Sequence, residues 1–368
     1  MGYIVTSPTW SSERYNEDKM KIINDAPLSR YTSLRAGGLA DKLVEVENGD
    51  DLAEIISKHS DDRVWILGFG TNCLISDKGL PGTVILNRAG HVHKLDTAKF
   101  KVSSGYNWDG FVGHLISNHL WGLEFTSGVP GGVGAAIVGN IAAYGHQVAD
   151  TFVEATVLNI KDGSVEVWNK QKLSFDYRSS AFQLPENRDR IILDATFELS
   201  TEPLGDLEYD SALKAAEDLG LKPTSLLNRR RIILEARRRA DSLFSNPKAG
   251  PWTAGSFFKN PLVSGALADA IMKYEEHQVS GTQILHQNLI HGGNETRVSA
   301  AHVLLAAGFH RGQTWGNVRL DPDHVLKIEN TGEATAQEIY DVVQHILTTV
   351  KEELGIVLEP EVRFLGEF

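Results

Sequence analysis

An α+β fold built in three parts is predicted for this 368-residue chain by three observations. Strand and helix patterns alternate early, strands dominate the middle, and a smaller set of helices with one strand closes the chain. Residues 1–21 are polar and read as a flexible leader. After them "LADKLVEVEN" is strand-like, "DDLAEIISKHS" helical, "VWILG" a β-branched and aromatic run, and "GTVILNR" another strand. This is the signature of an α/β unit. "NWDGFVGHLISNHL" opens a second unit as a helix with Phe111, Leu115 and Leu120 near one face, and "TFVEATVLNI", "SVEVWN" and "RIILDATFEL" follow as strands. Residues 210–243 read as helical and carry two arginine triplets, Arg229 to Arg231 and Arg237 to Arg239. At about 100° per residue the six guanidinium groups point in many directions, so most are expected in solvent. Two helices, "SGALADAIMKY" and "RVSAAHVLLAAG", and a strand, "HVLKIEN", belong to the third unit. Its last helix has the clearest limits: Thr335 and Glu338 form a capping box, Ile339, Val342, Val343, Ile346, Leu347 and Val350 keep helical spacing, and Gly355 ends it.

Composition narrows the function. With 42% hydrophobic and 23% charged residues the chain is typical of soluble globular proteins. Its formal charge of -12 repels polyanions, which argues against nucleic acid or an anionic membrane surface as partner. Cys73 is the single cysteine, so no internal disulfide is possible and a reducing compartment, the cytoplasm, is expected. The 13 histidines show no zinc-type spacing, and no metal is expected. "MGYIVT" matches a myristoylation pattern formally, as six residues often do by chance, and no secretory signal is legible. The most apolar stretch, "GVPGGVGAAIVGNIAAYG", is interrupted by glycine, proline and asparagine and is too broken to span a bilayer.

Two glycine loops carry chemical promise. In "ILGFGTNCLISD", Gly68, Gly70, Thr71 and Asn72 follow a strand directly, where backbone N–H groups can surround a pyrophosphate. Cys73 stands where a Rossmann fingerprint needs its third glycine, so this is another geometry. "SGVPGGVGAAIVGNIAAYG" combines Gly128, Pro130, Gly131, Gly132 and Gly134 with small residues running to Asn140 and Tyr144. Either loop alone fits a close-packed turn as well as a phosphate site. Two in one α/β half favour a large dinucleotide. Ser256, in "AGSFFKNP", lacks the G-x-S-x-G setting of a hydrolase nucleophile. On its own it reads as a strand edge or turn whose phenylalanines fill a core.

Five motifs in order, "LGFGTNCLISD", "GLEFTSGVPGGVGAAIVGNIAAYG", "FDYRSSAF", "AGSFFKNP" and "GIVLEPEVRFLG", make residues 28–366 resemble the UDP-N-acetylenolpyruvoylglucosamine reductase family of peptidoglycan precursor synthesis. The resemblance implies a FAD-binding domain of the PCMH or vanillyl-alcohol-oxidase type, with subdomains over 22–90 and 91–245. It also implies a substrate domain over 246–355 and a C-terminal segment, 356–368, that carries Glu361. Implied too are FAD, NADPH and the substrate UDP-N-acetylglucosamine enolpyruvate, acting in a cytoplasmic monomer that serves cell-wall growth, shape and division. In the family's reaction NADPH reduces FAD, a hydride reaches C3 of the enolpyruvyl group, and the carbanion left at C2, delocalised into the carboxylate, must be stabilised and protonated.

By the same resemblance Ser256 takes the place of the proton donor to C2, Arg178 that of the group polarising the carboxylate, and Glu361 the third catalytic place, as acid or as orienting group for Ser256. Without the resemblance Glu361 reads as an ordinary surface glutamate. FAD falls to Gly68, Gly70, Thr71, Asn72, Pro130, Gly131, Gly134, Asn140 and Tyr144. Substrate falls to Tyr177, Lys259, Asn260, His324 and Tyr209, the last matching a mobile-loop tyrosine of the family's longer subtype. Two departures stand out. Ser242 is nearest to where many members have a lysine, leaving Arg238 or Arg239 to replace its charge, and Trp315 intrudes where a paired glycine is usual. Two other functions compete: a PCMH-type oxidase of another sugar or alcohol, and a non-catalytic UDP-sugar-binding paralogue. The intact trio of Arg178, Ser256 and Glu361 argues against both.

Overall fold

The computed structural model describes residues 21–46, 52–59, 63–88, 90–244, 250–273 and 296–368. Its first sheet runs in the order Lys21–Pro27, Leu39–Val46, Leu80–Asn87 and Val64–Leu67. The last three strands are mutually parallel and the first is an antiparallel edge. "TVIL" lies in the central parallel strand, covered on both faces, which is why it reads as a continuous apolar run rather than an alternating one. The helix Leu52–Lys58 buries Leu52, Ile55 and Ile56 against Ile85 of that strand and Leu158 of the second sheet. Lys21 opens the first strand, opposite Glu45; the rest of the leader lies outside the described residues.

The second sheet is antiparallel throughout, in the order Val165–Asn169, Phe152–Asn159, Arg190–Glu198, Lys99–Ser103 and Val92–Lys94. The helix Trp108–Ser117 starts where the Asn107 side chain accepts the Gly110 N–H at 2.7 Å, and it buries Trp108, Phe111, Val112 and Leu115. Beside this sheet, residues 210–243 form two helices rather than one. Asp210–Leu219 stops at Gly220, in the left-handed conformation at φ +63°, and Leu226–Arg239 starts at the Ser225 cap. Ala212, Ala215 and Ala216 of the first pack on Ile232, Ile233 and Ala236 of the second.

The arginine triplets are less solvated than their spacing implies. Arg231, Arg238 and Arg239 are exposed, but Arg230 is half-buried and holds Asp109 through two 2.7 Å hydrogen bonds. Arg229 is buried against Glu124 at 3.1 Å and stacks near Trp121 and Phe125. The physical reason is the turn at Gly220. It folds the pair so that one face of the arginine helix meets the 3-10 turn Glu124–Thr126.

The third sheet, Trp252–Ser256, Lys327–Asn330, Val318–Leu320 and Thr314–Trp315, is antiparallel. It is backed by the helices Gly265–Lys273, Ala300–Ala306 and Ala336–Leu354 around one large core. The long helix has both bonds of its capping box and ends on Gly355 at φ +68°. Its first N–H groups, on Ala336 and Gln337, also donate to the Asp77 carboxylate at 3.0 and 2.8 Å, which ties it to the first sheet. The chain end returns as well: Arg363–Leu365 pairs in parallel with Cys73–Ile75, a strand inside what reads locally as a loop. Trp315 packs against Phe309 and His345, away from the cavity described next.

Candidate active site

Where the three units meet there is a cavity of about 820 Å³, within the roughly 300–1,000 Å³ of ligand pockets. One wall is made by the two glycine loops. Gly68, Gly70, Thr71 and Asn72 line it from the first, and Val129, Pro130, Gly131, Gly132 and Gly134 from the second. Their glycines differ in purpose. A Cβ on Gly70 (φ +63°) would lie 2.1 Å from the Tyr31 carbonyl oxygen, so this glycine is required by packing. Gly134 donates its N–H to the Ser104 carbonyl at 2.8 Å and would press a Cβ on Ser104, so it shapes the loop. A Cβ on Gly68 would meet nothing closer than the Asn87 carbonyl at 4.0 Å. A cradle whose floor is bare backbone, with room for an extended ligand, fits the pyrophosphate of FAD.

Two outcomes follow. Gly68→Val is expected to fold normally and lose its flavin, measured by 450 nm absorbance after gel filtration, whereas Gly70→Val is expected to be insoluble. Full flavin retention in folded Gly68→Val would show that the cradle only packs. Cys73 also lines the cavity, but burial pushes its thiol up to about 12, so it holds no thiolate to attack a flavin ring. The FAD is expected to be noncovalent: acid precipitation should leave a colourless pellet and a yellow supernatant.

Ser256, Arg178 and Glu361 line the same cavity. Gly255, at φ +81°, and a shift in register between Thr253 and Ser256 turn the strand's last residue. Phe257 and Phe258 behind it are buried at 0% and 2% exposure and fix the position. The lone serine is thus both a strand end braced by core phenylalanines and a cavity residue. Glu361 is placed by backbone: its N–H donates to the Phe257 carbonyl at 2.8 Å and its carbonyl accepts from the Asn72 side chain at 3.1 Å. Arg178 sits at φ +51° in a tight turn closed by Asp176 and Ser179, and its Nε lies 3.6 Å from Glu361 Oε1. That carboxylate holds the guanidinium above its ordinary range.

The other substrate residues gather partly. The Tyr177 hydroxyl accepts the Asn260 N–H at 3.4 Å, and Arg297 stacks on the Tyr177 ring at 4.0 Å. Asn260 turns its side-chain oxygen inward to the Ala300 N–H at 2.9 Å, so only part of it can serve a ligand. Lys259 lines the cavity and reaches Glu359 at 3.2 Å. Tyr209 precedes the helix Asp210–Leu219 and meets Tyr144 edge to face at 5.6 Å; burial raises both phenols. Tyr144 therefore stands with Tyr209 and Arg237, outside the cavity lining.

Two further residues stand off the cavity wall. Asn140 uses both ends of its amide inside the protein, donating to Gln147 and the Asp176 carbonyl and accepting from Ala149, and it does not line the cavity. Its work is to pin the loop. His324 is set in a turn, its N–H on Asp321 at 2.8 Å and its Nδ1 accepting from Leu326 at 3.3 Å, also off the cavity wall. Burial and Lys327 lower its proton affinity.

Arg238 and Arg239 do not supply the missing positive charge. Both are bound to Glu235, and Arg239 also to Asp218, on the outer face of their helix. Arg237 lines the cavity instead, with its Nε buried and without a hydrogen-bond partner among the described residues. Lys327 and Glu329 line it too and escaped the sequence reading, which had treated "HVLKIEN" only as a strand. The one available signal was the pair of charges at alternate positions, Lys327 and Glu329, of the strand.

The model of a FAD binding domain matches residues 40–168, a span that holds both glycine loops, and that of the UDP-N-acetylenolpyruvoylglucosamine reductase C-terminal domain matches residues 239–365. The chain is 31% identical over 346 residues to UDP-N-acetylenolpyruvoylglucosamine reductase of Salinispora arenicola, covering 91% of this chain and 93% of that one. It is 30% identical over 355 residues to the enzyme of the same name from Thermobifida fusca, covering 93% and 97%. The crystal structure of UDP-N-acetylenolpyruvylglucosamine reductase from Thermus caldophilus shares the fold, with a TM-score of 0.58 at 23% identity over 95% of this chain and 99% of that one.

Proposed function

Because this chain belongs to the UDP-N-acetylenolpyruvoylglucosamine reductase family, we infer its reaction directly: it is an FAD-containing, NADP-dependent oxidoreductase that turns UDP-N-acetylglucosamine enolpyruvate into UDP-N-acetylmuramate. Bound FAD would supply the hydride chemistry between NADPH and the enolpyruvyl group. The remaining work falls to the chain's own residues. Gly68, Gly70 to Asn72 and Pro130 to Gly132 hold the cofactor's phosphates and exclude water.

Arg178 binds the substrate carboxylate through its guanidinium fork and draws off the negative charge that develops there. Ser256 holds the proton that C2 needs; a hydroxyl stays protonated at any working pH yet yields to so strong a base as a carbanion. Glu361 holds Arg178 in place through its contact with Nε. Lys259, Tyr177 and Tyr209 serve the UDP end. The observation that supports these roles is that Arg178, Ser256 and Glu361 line the same cavity as the glycine cradle, with Arg178 and Glu361 3.6 Å apart. We also place the enzyme in the cytoplasm as a monomer, working in cell-wall growth and division; a lone cysteine suits that compartment.

Arg178→Lys tests the carboxylate role. It keeps the charge but loses one charged hydrogen bond of about 1.5–3 kcal/mol, so flavin reoxidation by substrate should slow about 10- to 150-fold. Reduction by NADPH should not change. Equal slowing of both half-reactions would remove the assignment.

A further inference from the structure

Lys327 and Glu329 are the charged residues that the third sheet turns to the cavity, while Ile328 and Asn330 point into the protein. In the antiparallel pair Lys327 stands directly opposite Ser256, and Glu329 opposite Thr253. Residues so paired project on the same face with Cβ atoms about 4.5–5.5 Å apart. The two charges are compensated differently. Glu329 is neutralised by Arg319, which holds one carboxylate oxygen at 2.6 and 2.9 Å. The Lys327 side chain is 4% exposed, and its ammonium donates to the Asp241 carbonyl and to the Asp241 carboxylate at 3.1 Å, with Asp321 at 3.7 Å. Asp241 is largely exposed, but Asp321 is buried with Lys327, and a buried ion pair is seldom more stable than an apolar one of equal size. Its lysine is the cross-strand partner of Ser256, whose hydroxyl becomes an anion in the reaction above.

We propose that Lys327 is a positioning residue for Ser256: its ammonium, fixed against Asp241 and Asp321, stabilises the alkoxide formed when the Ser256 proton passes to C2. The inference rests on the assignment of Ser256 as donor. In that step the Ser256 O–H bond breaks, the C2–H bond forms, and the negative charge moves from C2 to Oγ. A proton from water restores the hydroxyl as product leaves, so Lys327 need not lose its own. The same ammonium anchors residues 240–241, next to the cavity-lining segment 242–244.

The test uses flavin-loaded Lys327→Met and Lys327→Arg proteins, with each half-reaction followed by stopped flow. In Lys327→Met, reduction by NADPH should stay within about threefold of the parent, while reoxidation by UDP-N-acetylglucosamine enolpyruvate should slow about 10²-fold or more. Lys327→Arg should recover most of that loss. Because Lys327 acts through Ser256, adding Lys327→Met to Ser256→Ala should cost less than about threefold further. Equal slowing of both half-reactions, or a full additive loss in the double variant, would make Lys327 only a brace for residues 240–244 and overturn the proposal. Normal reoxidation in Lys327→Met beside a slow Ser256→Ala would sink the lysine alone; normal reoxidation in Ser256→Ala would sink the donor assignment and this inference with it. If Lys327→Met fails to hold flavin, Lys327→Gln, which can still bond the Asp241 carbonyl, carries the same comparison against the same limits.

Discussion

Ser256→Ala is expected to leave reduction of the flavin by NADPH near the parent rate and to slow its reoxidation by substrate about 10⁴-fold or more. The first half-reaction moves a hydride from nicotinamide and uses no proton donor at C2. The second loses a donor aimed at developing charge, a loss of about 10²–10³ in rate, together with proton transfer, which contributes about 10²–10⁴. Fold and flavin binding should survive, because the neighbours that set this strand end are Phe257 and Phe258 in the core and the Glu361 N–H on the Phe257 carbonyl. Stopped-flow traces at 450 nm separate the two steps. A serine that merely packs would change neither, or both alike.

The second large effect concerns stability. Arg229→Met should lower the unfolding free energy by about 3–5 kcal/mol, because removing one partner of a buried ion pair leaves the other uncompensated. Glu124, at 1% side-chain exposure, would remain with one oxygen on the Gly122 N–H at 2.7 Å and no cation beside the other. Urea titration gives the loss directly. The double change Arg229→Met with Glu124→Gln should recover much of it, since no buried charge is then left alone. If Arg229→Met unfolds at the parent's urea concentration, the pair does not hold the arginine helix to the Glu124 turn. The link to function is Arg237, two turns further along that helix, which reaches the cavity only while the helix is seated.

Local pattern carried the elements whose reasons are local. The last helix was legible because Thr335, Glu338, the apolar stripe and Gly355 all lie within it. The strand Cys73–Ile75 was not, since its partner Arg363–Leu365 lies some 290 residues away and three residues carry no periodicity. The break at Gly220 was legible in principle from a glycine and the proline at 223, but the helical pattern on either side masked it. Much the same division holds for the site. Ser256, Arg178 and Glu361 were reachable through motif resemblance, and all three line the cavity. Asn140 and His324 carry the same motif signal, yet their side chains or backbone are spent on neighbours that only folding reveals. Lys327 and Arg237 show the converse. A charge in a strand, or one arginine of three, gives no hint of direction until the sheet register and helix phase are fixed.

The central claim is that this cavity uses a flavin to reduce an enolpyruvyl ether. Its most direct test is anaerobic: the purified yellow protein is bleached with one equivalent of NADPH, and UDP-N-acetylglucosamine enolpyruvate is then added with no other oxidant present. The flavin absorbance should return within seconds, one UDP-N-acetylmuramate appearing per flavin reoxidised. A flavin that stays bleached in the presence of substrate and regains its colour only on admission of oxygen would contradict the account.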